Sequence, residues 1–336
     1  MRLFLVLLAA LAGPAWAQPR VLELPASASW QHERTSLIVP PRSGPFTRGE
    51  ISDAGEAELD VMAQFDMDGG RTRATLYLFK TGVPDTALWF DRAQASISLR
   101  AEWNAVPVAD APLPFALPGR PATGLYSAYR LPTGGDWRST AVALAPLHDG
   151  WLVKLRISSA DIEAEQLQAS AAELLAGLRW PAPTSAEVDA AAARPIRDCA
   201  APLRLRRARL VQPSMADVLI AAATGAMPAT GPKPTYCREP GPRAIEEIYR
   251  PNGSTRSYLI ALGDSGLAVS LGQSLSLAAL SGGRGGGSFT TMLIDREGVG
   301  VYPSFDRLPL PEQALQVLGS RAMISARQGE AASSKP

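Results

Sequence analysis

The sequence predicts an α+β protein of two domains, each an antiparallel sheet packed by a few helices. Three observations carry this. Short stretches of strand composition recur along the chain, separated by turns rich in Gly, Asp and Asn, as hairpins require. Two longer stretches carry apolar residues at helical spacing instead. The chain has 336 residues, 46% of them hydrophobic, which is enough for two cores at roughly 150 residues per domain.

Residues 1–17, MRLFLVLLAALAGPAWA, read as an export signal. Arg2 supplies the positive start, and the apolar run over 3–11 is too short to remain in a bilayer. Ala15-Trp16-Ala17 places small residues where a signal peptidase reads, so cleavage is expected after Ala17. No Cys follows the run, so no lipid anchor is predicted. The expected location is the periplasm or the outside of the cell. No later stretch has the apolar length of a membrane span, so no span is expected once the signal is removed.

The first domain is read over 21–180. Residues 61–65 and 74–79 have strand composition and flank the turn Asp66-Met67-Asp68-Gly69-Gly70. Residues 87–99 place Leu88, Trp89, Ala93 and Ile97 near helical spacing after the turn Val83-Pro84-Asp85. Residues 125–131 alternate like a half-buried strand. Residues 140–147 and 150–157 form a second hairpin across His148-Asp149-Gly150. In that hairpin Trp151, Val153, Leu155 and Ile157 share one face and Lys154 and Arg156 the other, which predicts a sheet with one wet face. A closing helix is expected to start at Ser158 and Asp161 and to bury Leu167, Ala171, Leu174 and Leu178, with Glu163, Glu165 and Glu173 outward. Trp180-Pro181 stops it.

This order of strand pair, helix, three strands and closing helix resembles the Mog1/PsbP-like domains over residues 37–180. Trp30 and Trp180 are compatible with it. Members of that group are mostly adaptors and accessory proteins, so the resemblance implies an α/β domain that binds more than it catalyses. No family is recognised for residues 195–318.

Residues 181–194 are Ala-rich and read as a linker or a short exposed helix. The second domain is read over 195–318. It opens with a short helix over 215–223 and a Gly/Pro loop over 224–234. Strands follow over 244–250, 255–262, 267–271, 289–295 and 299–304. Hairpin turns at Asn252-Gly253-Ser254, Asp264-Ser265-Gly266 and Arg296-Glu297-Gly298 make them a meander. A last helix covers 311–318, and 319–336 is expected to be a disordered tail.

Composition excludes some functions. A net charge of +1 argues against nucleic acid as a partner. Cys199 and Cys237, the only cysteines, are expected to pair in the oxidising compartment that export implies, stabilising by about 3–4 kcal/mol for a loop of that size. Metal spacing is absent, because the two histidines lie far upstream of the cysteines. No cofactor is predicted.

Five constellations each have a functional and a plain reading. Gly263-Asp264-Ser265-Gly266 matches the nucleophile motif of trypsin-like proteases, with His32 upstream, but Leu267 replaces the following Gly, and the residue types also suit a hairpin turn. His148 in its turn is either a base or an exposed turn residue. Arg284, inside the glycine-dense stretch 281–288, is a candidate contact for an anionic ligand or partner, or else part of a mobile loop between strands. Arg204, Arg206 and Arg207, interleaved with Leu203 and Leu205, are a second such candidate or else a solvated edge. Trp89, Trp103, Trp137, Trp151 and Trp180 fill a core or grip a sugar or peptide. The resulting expectation is an exported bacterial envelope protein acting as a non-enzymatic binding or assembly module, with another envelope protein as its partner. The alternative is a periplasmic hydrolase using Ser265 or a carboxylate pair.

Overall fold

The computed structural model describes residues 19–55, 57–211, 233–273, 288–320, 323 and 325–328. The expected signal (1–17), the helix expected over 215–223 and Arg284 lie outside the described residues. The first sheet contains β1 (Phe46–Asp53), β2 (Asp60–Met67), β3 (Thr72–Lys80), β4 (Gly124–Arg130), β5 (Ser139–Pro146) and β6 (Trp151–Ser159). They pair antiparallel in the order β1-β2-β3-β6-β5-β4, so the last strand returns to the middle. β6 runs against β3 along its whole length, from Trp151 opposite Lys80 to Ser159 opposite Thr72. Short edge strands, Arg20–Val21 and Val106–Pro107, cap the two sides.

Two helices cover the sheet, one on each face. α1 (Thr86–Ser98) starts where Asp85 accepts a hydrogen bond from the Leu88 backbone N–H at 2.7 Å. α2 (Leu167–Ala176) buries Leu167, Ala171, Leu174 and Leu175 against Ala74, Leu76, Leu78, Ala143, Val153, Leu155 and Ile157. This helix begins later than the capping signal at Ser158 predicts. β6 stays paired with both neighbours out to Ser159, whose hydroxyl then accepts from the backbone N–H groups of Asp161 and Ile162 and turns the chain. Ladder pairing on both sides outweighs a local start signal.

The second sheet is a meander of β7 (Tyr236–Arg238), β8 (Glu246–Pro251), β9 (Tyr258–Leu262), β10 (Leu267–Gln273), β11 (Phe289–Ile294) and β12 (Gly298–Phe305), all antiparallel in chain order. All three predicted hairpins are present. Ser325–Gln328 adds a strand to β12, so the segment expected to be disordered from 319 contributes to the sheet. α3 (Pro311–Gly319) covers the outer face, over Tyr258, Ile260, Val269 and Leu271. Cys199 and Cys237 form the expected disulfide, with Cα atoms 5.0 Å apart. Beside it the Cys199 N–H donates to the Arg238 carbonyl at 2.8 Å and the Arg238 N–H to the Arg197 carbonyl at 2.9 Å, which ties residues 197–199 to β7.

The two sheets share an apolar cluster. Phe79, Leu125, Tyr129, Val142, Leu144 and Leu152 of the first sheet, Leu88, Trp89, Phe90, Ala93 and Ile97 of α1, and Tyr249, Leu259, Ala261 and Ala268 of the second sheet belong to one contact network. α1 is therefore buried on nearly every side, and its polar Asp91 and Arg92 are buried with it. This corrects the wet face expected from the alternation in β6. Lys154 lies on that face and is buried, with its ammonium 4.2 Å from the centre of the Tyr77 ring. A long aliphatic stem lets a lysine sit in such a contact while its charge reaches a partner.

A buried ionic cluster completes the seam. Arg92 Nη1 lies 2.6 Å from Glu247 Oε2, with 2% and 5% of the side chains exposed. Arg92 also donates to the Gly263 carbonyl at 3.0 Å and to the carbonyls of Ala244 and Ile245. Asp91 accepts from Arg238 at 2.8 Å, from Arg243 at 3.1 Å and from the Tyr249 hydroxyl at 2.7 Å. Burial first, and the Asp91 charge second, push the Tyr249 hydroxyl far up, so it remains a donor. Removing one partner of a buried pair strands the other charge. Arg92→Met is therefore expected to lower the unfolding free energy by about 3–5 kcal/mol, measured by urea denaturation. A loss below about 1 kcal/mol, the range of surface pairs, would show that the seam does not depend on it.

Candidate functional site

The Gly263–Gly266 turn, where a hydrolase would place its nucleophile, is a docking element between the sheets. Asp264 Oδ2 lies 2.7 Å from Lys154 Nζ on β6. Burial alone would raise the Asp264 carboxyl, but the Lys154 ammonium holds it below the ordinary aspartate value. The Thr81 hydroxyl donates to the Gly266 carbonyl at 3.0 Å. Gly266 has φ +83°, and a Cβ there would meet the Lys80 carbonyl at 3.2 Å, so glycine serves both the turn and the close approach. Arg296 pairs with Asp60 of β2 and donates to the Ser265 carbonyl at 3.2 Å. The Ser265 hydroxyl donates to the Leu262 carbonyl at 2.9 Å.

Neither histidine serves Ser265. His32 is fully buried. Its Nδ1 accepts from the Thr35 hydroxyl at 2.8 Å and from the Thr35 N–H at 3.1 Å, which leaves the proton on Nε2 to donate to the Glu58 carbonyl at 2.9 Å. The ring also stands edge-on to Trp151, with centroids 4.7 Å apart. His148 sits in the expected turn, its Nδ1 3.2 Å from its own neighbour Asp149. It lines a 190 Å³ cleft with Arg120 and Glu187, which pair with each other at 3.2 Å. Of the tryptophans, Trp89, Trp103 and Trp151 are core residues, while Trp137 and Trp180 pack against the core half-buried.

The arginine cluster is arranged differently. Residues 202–209, outside any helix or strand, pack on the outer face of the second sheet. Leu203 and Leu205 face inward, half-buried against the core under α3, and Arg204, Arg206 and Arg207 point outward, exposed. Burial alternates over Leu203 to Arg206 as it does in an extended chain, and Arg207, exposed beside Arg206, breaks the alternation. Pro202, Leu203, Leu205 and Leu308 with Arg204, Arg206, Arg307 and Thr255 line a groove of 510 Å³. Arg307 pairs only with its neighbour Asp306, at 3.3 Å, and Arg204, Arg206 and Arg207 form no ion pair among the described residues. The groove thus has an apolar floor and a cationic rim. The sequence marked these arginines as an anionic contact or else a solvated edge; the contribution of Arg307, distant in the chain, had no sequence signal.

Among the described residues no group of His, Cys, Asp and Glu is placed to hold a metal ion, and no helix is long and apolar enough to cross a membrane. Comparison with protein-family models, curated proteins and solved structures finds no match.

Two outcomes follow from these bonds. Burial lowers the His32 pKa, with the Glu58 hydrogen bond opposing it. The unfolded chain takes up a proton at about pH 6.5 while the buried ring resists it, so this contribution is complete above that pH and is lost as pH falls through it. Unfolding free energy measured in urea is expected to drop more for the wild type than for His32→Gln between about pH 7.5 and pH 5.5, and parallel curves would contradict the assignment. Ser265, lacking a base, is expected to resist labelling by a fluorophosphonate probe. Labelling abolished in Ser265→Ala would restore the hydrolase reading.

Proposed function

We propose that the protein is an exported, non-enzymatic binding module that holds an anionic partner in the envelope through the groove of Arg204, Arg206 and Arg307. One observation carries this: Arg204 and Arg206 line a groove with no carboxylate partner among the described residues, and Arg307 joins them paired only with its neighbour Asp306, whereas the buried Arg92 and Arg250 face carboxylates. Unpaired exposed guanidiniums are matched to carboxylate or phosphate oxygens. The disulfide supports export, because such bonds persist in oxidising compartments. The resemblance of residues 37–180 to Mog1/PsbP-like domains, read from the sequence, implies an adaptor role of the same kind. The expected partner is another envelope protein.

The groove reading is tested by crosslinked capture from an envelope extract. Arg204→Ala/Arg206→Ala is expected to lose partners that the wild type retains at low salt and releases at high salt. Arg130→Ala, which removes an exposed pair with Glu165, is expected to keep them. Equal capture by all three proteins would contradict the reading.

A further inference from the structure

We infer that Arg204–Arg207 is an open strand edge that takes an extended acidic peptide of the partner by backbone pairing; this rests on the proposed groove and specifies what fills it. The segment is held at both ends and free between them. On one side the Leu203 N–H donates to Glu239 Oε1 at 2.5 Å, and the Ala201 carbonyl accepts from Arg250 at 2.8 Å. On the other, the Gln313 side-chain amide exchanges two hydrogen bonds with Ala208, each 2.9 Å, and Asp306 exchanges two with Arg209, each 3.0 Å.

Between these anchors the backbone N–H and C=O groups of Arg204, Leu205, Arg206 and Arg207 have no partner among the described residues. An anchored stretch with unpaired backbone groups, its burial alternating from Leu203 to Arg206 as a strand's does, is a template for strand addition. Its two ends are already tied, which lowers the ordering cost on the protein's side. Chemistry fixes the peptide's pattern. Side chains of an added strand alternate between faces. Those on the outer side meet Arg204 and Arg206, with Arg307 across the groove, and call for carboxylates at every second position. Those between them face Leu203, Leu205 and Leu308 and call for aliphatic groups. A membrane or a free phosphate would use the arginines and ignore both the backbone edge and the alternation.

The test is fluorescence anisotropy with the full mature protein and labelled octapeptides. An alternating Glu-Val peptide is expected to bind at least about tenfold more tightly than a peptide of the same composition with its Glu residues in one block. Methylating alternate backbone amides of the alternating peptide, or introducing Arg204→Glu/Arg206→Glu, is expected to weaken binding at least about tenfold, a factor worth about 1.4 kcal/mol. Equal affinity for the alternating and block peptides, or no effect of amide methylation, overturns strand addition. So does arginine-dependent binding of phosphatidylglycerol vesicles or inorganic phosphate without binding of the alternating peptide. If the peptides fail while the capture difference persists, the groove reading stands and only its occupant is wrong; if both fail, the groove reading falls with it. These arginines are exposed, so unchanged far-UV circular dichroism of the variant will show that folding is intact.

Discussion

The seam between the two sheets is the constraint on which the rest of the structure depends. α1 lies in it with apolar residues facing both ways, and Asp91 and Arg92 are buried at its centre. Burying these charges is costly, and their attraction offsets the cost only when every donor and acceptor is met. Arg92 meets Glu247 and the carbonyls of Ala244, Ile245 and Gly263; Asp91 meets Arg238, Arg243 and Tyr249. A one-residue slip of β8 would move Glu247 and Tyr249 to the opposite face and strand both charges. Apolar burial supplies the bulk of the attraction, and the ionic cluster selects a single docking.

This accounts for where the reactive residue types went. Asp264 and Lys154 pair across the seam, Ser265 closes its own turn, and His32 is tied to Thr35 and Glu58 beneath Trp151. Groups with the chemistry for catalysis are used in the interior as hydrogen-bonding links. The outer face of the second sheet has a different character. There an arginine-rich segment crosses with its leucines inward and its charges in water. Function on this reading belongs to a surface laid over the two sheets that the seam joins.

Much of the local structure was legible in the sequence. Turn residues at 66–70, 148–150, 252–254 and 264–266 marked real hairpins, because Gly, Asp and Asn are needed there for positive φ: Gly69, Asp149, Asn252 and Gly266 all adopt it. β1 was not legible. A register shift between Arg48 and Ile51, next to Gly49, interrupts the alternation by which strands are recognised. The seam was invisible for another reason. Lys154 and Arg156 mark a wet face when a sheet is read alone, and nothing local announces that a second sheet 110 residues away supplies Asp264 to Lys154. Of the groove, the alternation of Leu203 to Arg206 was readable, whereas the lining by Thr255 and Arg307 depends on tertiary placement.

Tryptophan gives a direct view of the seam. All seven tryptophans precede residue 181 and Trp89 lies in the shared cluster, so their fluorescence reports the first sheet and the seam, while far-UV circular dichroism reports both sheets. Urea unfolding followed by the two signals is predicted to give coincident transitions with one midpoint, as a single cooperative unit requires. Two separated transitions would show that the sheets fold independently and would contradict a shared core.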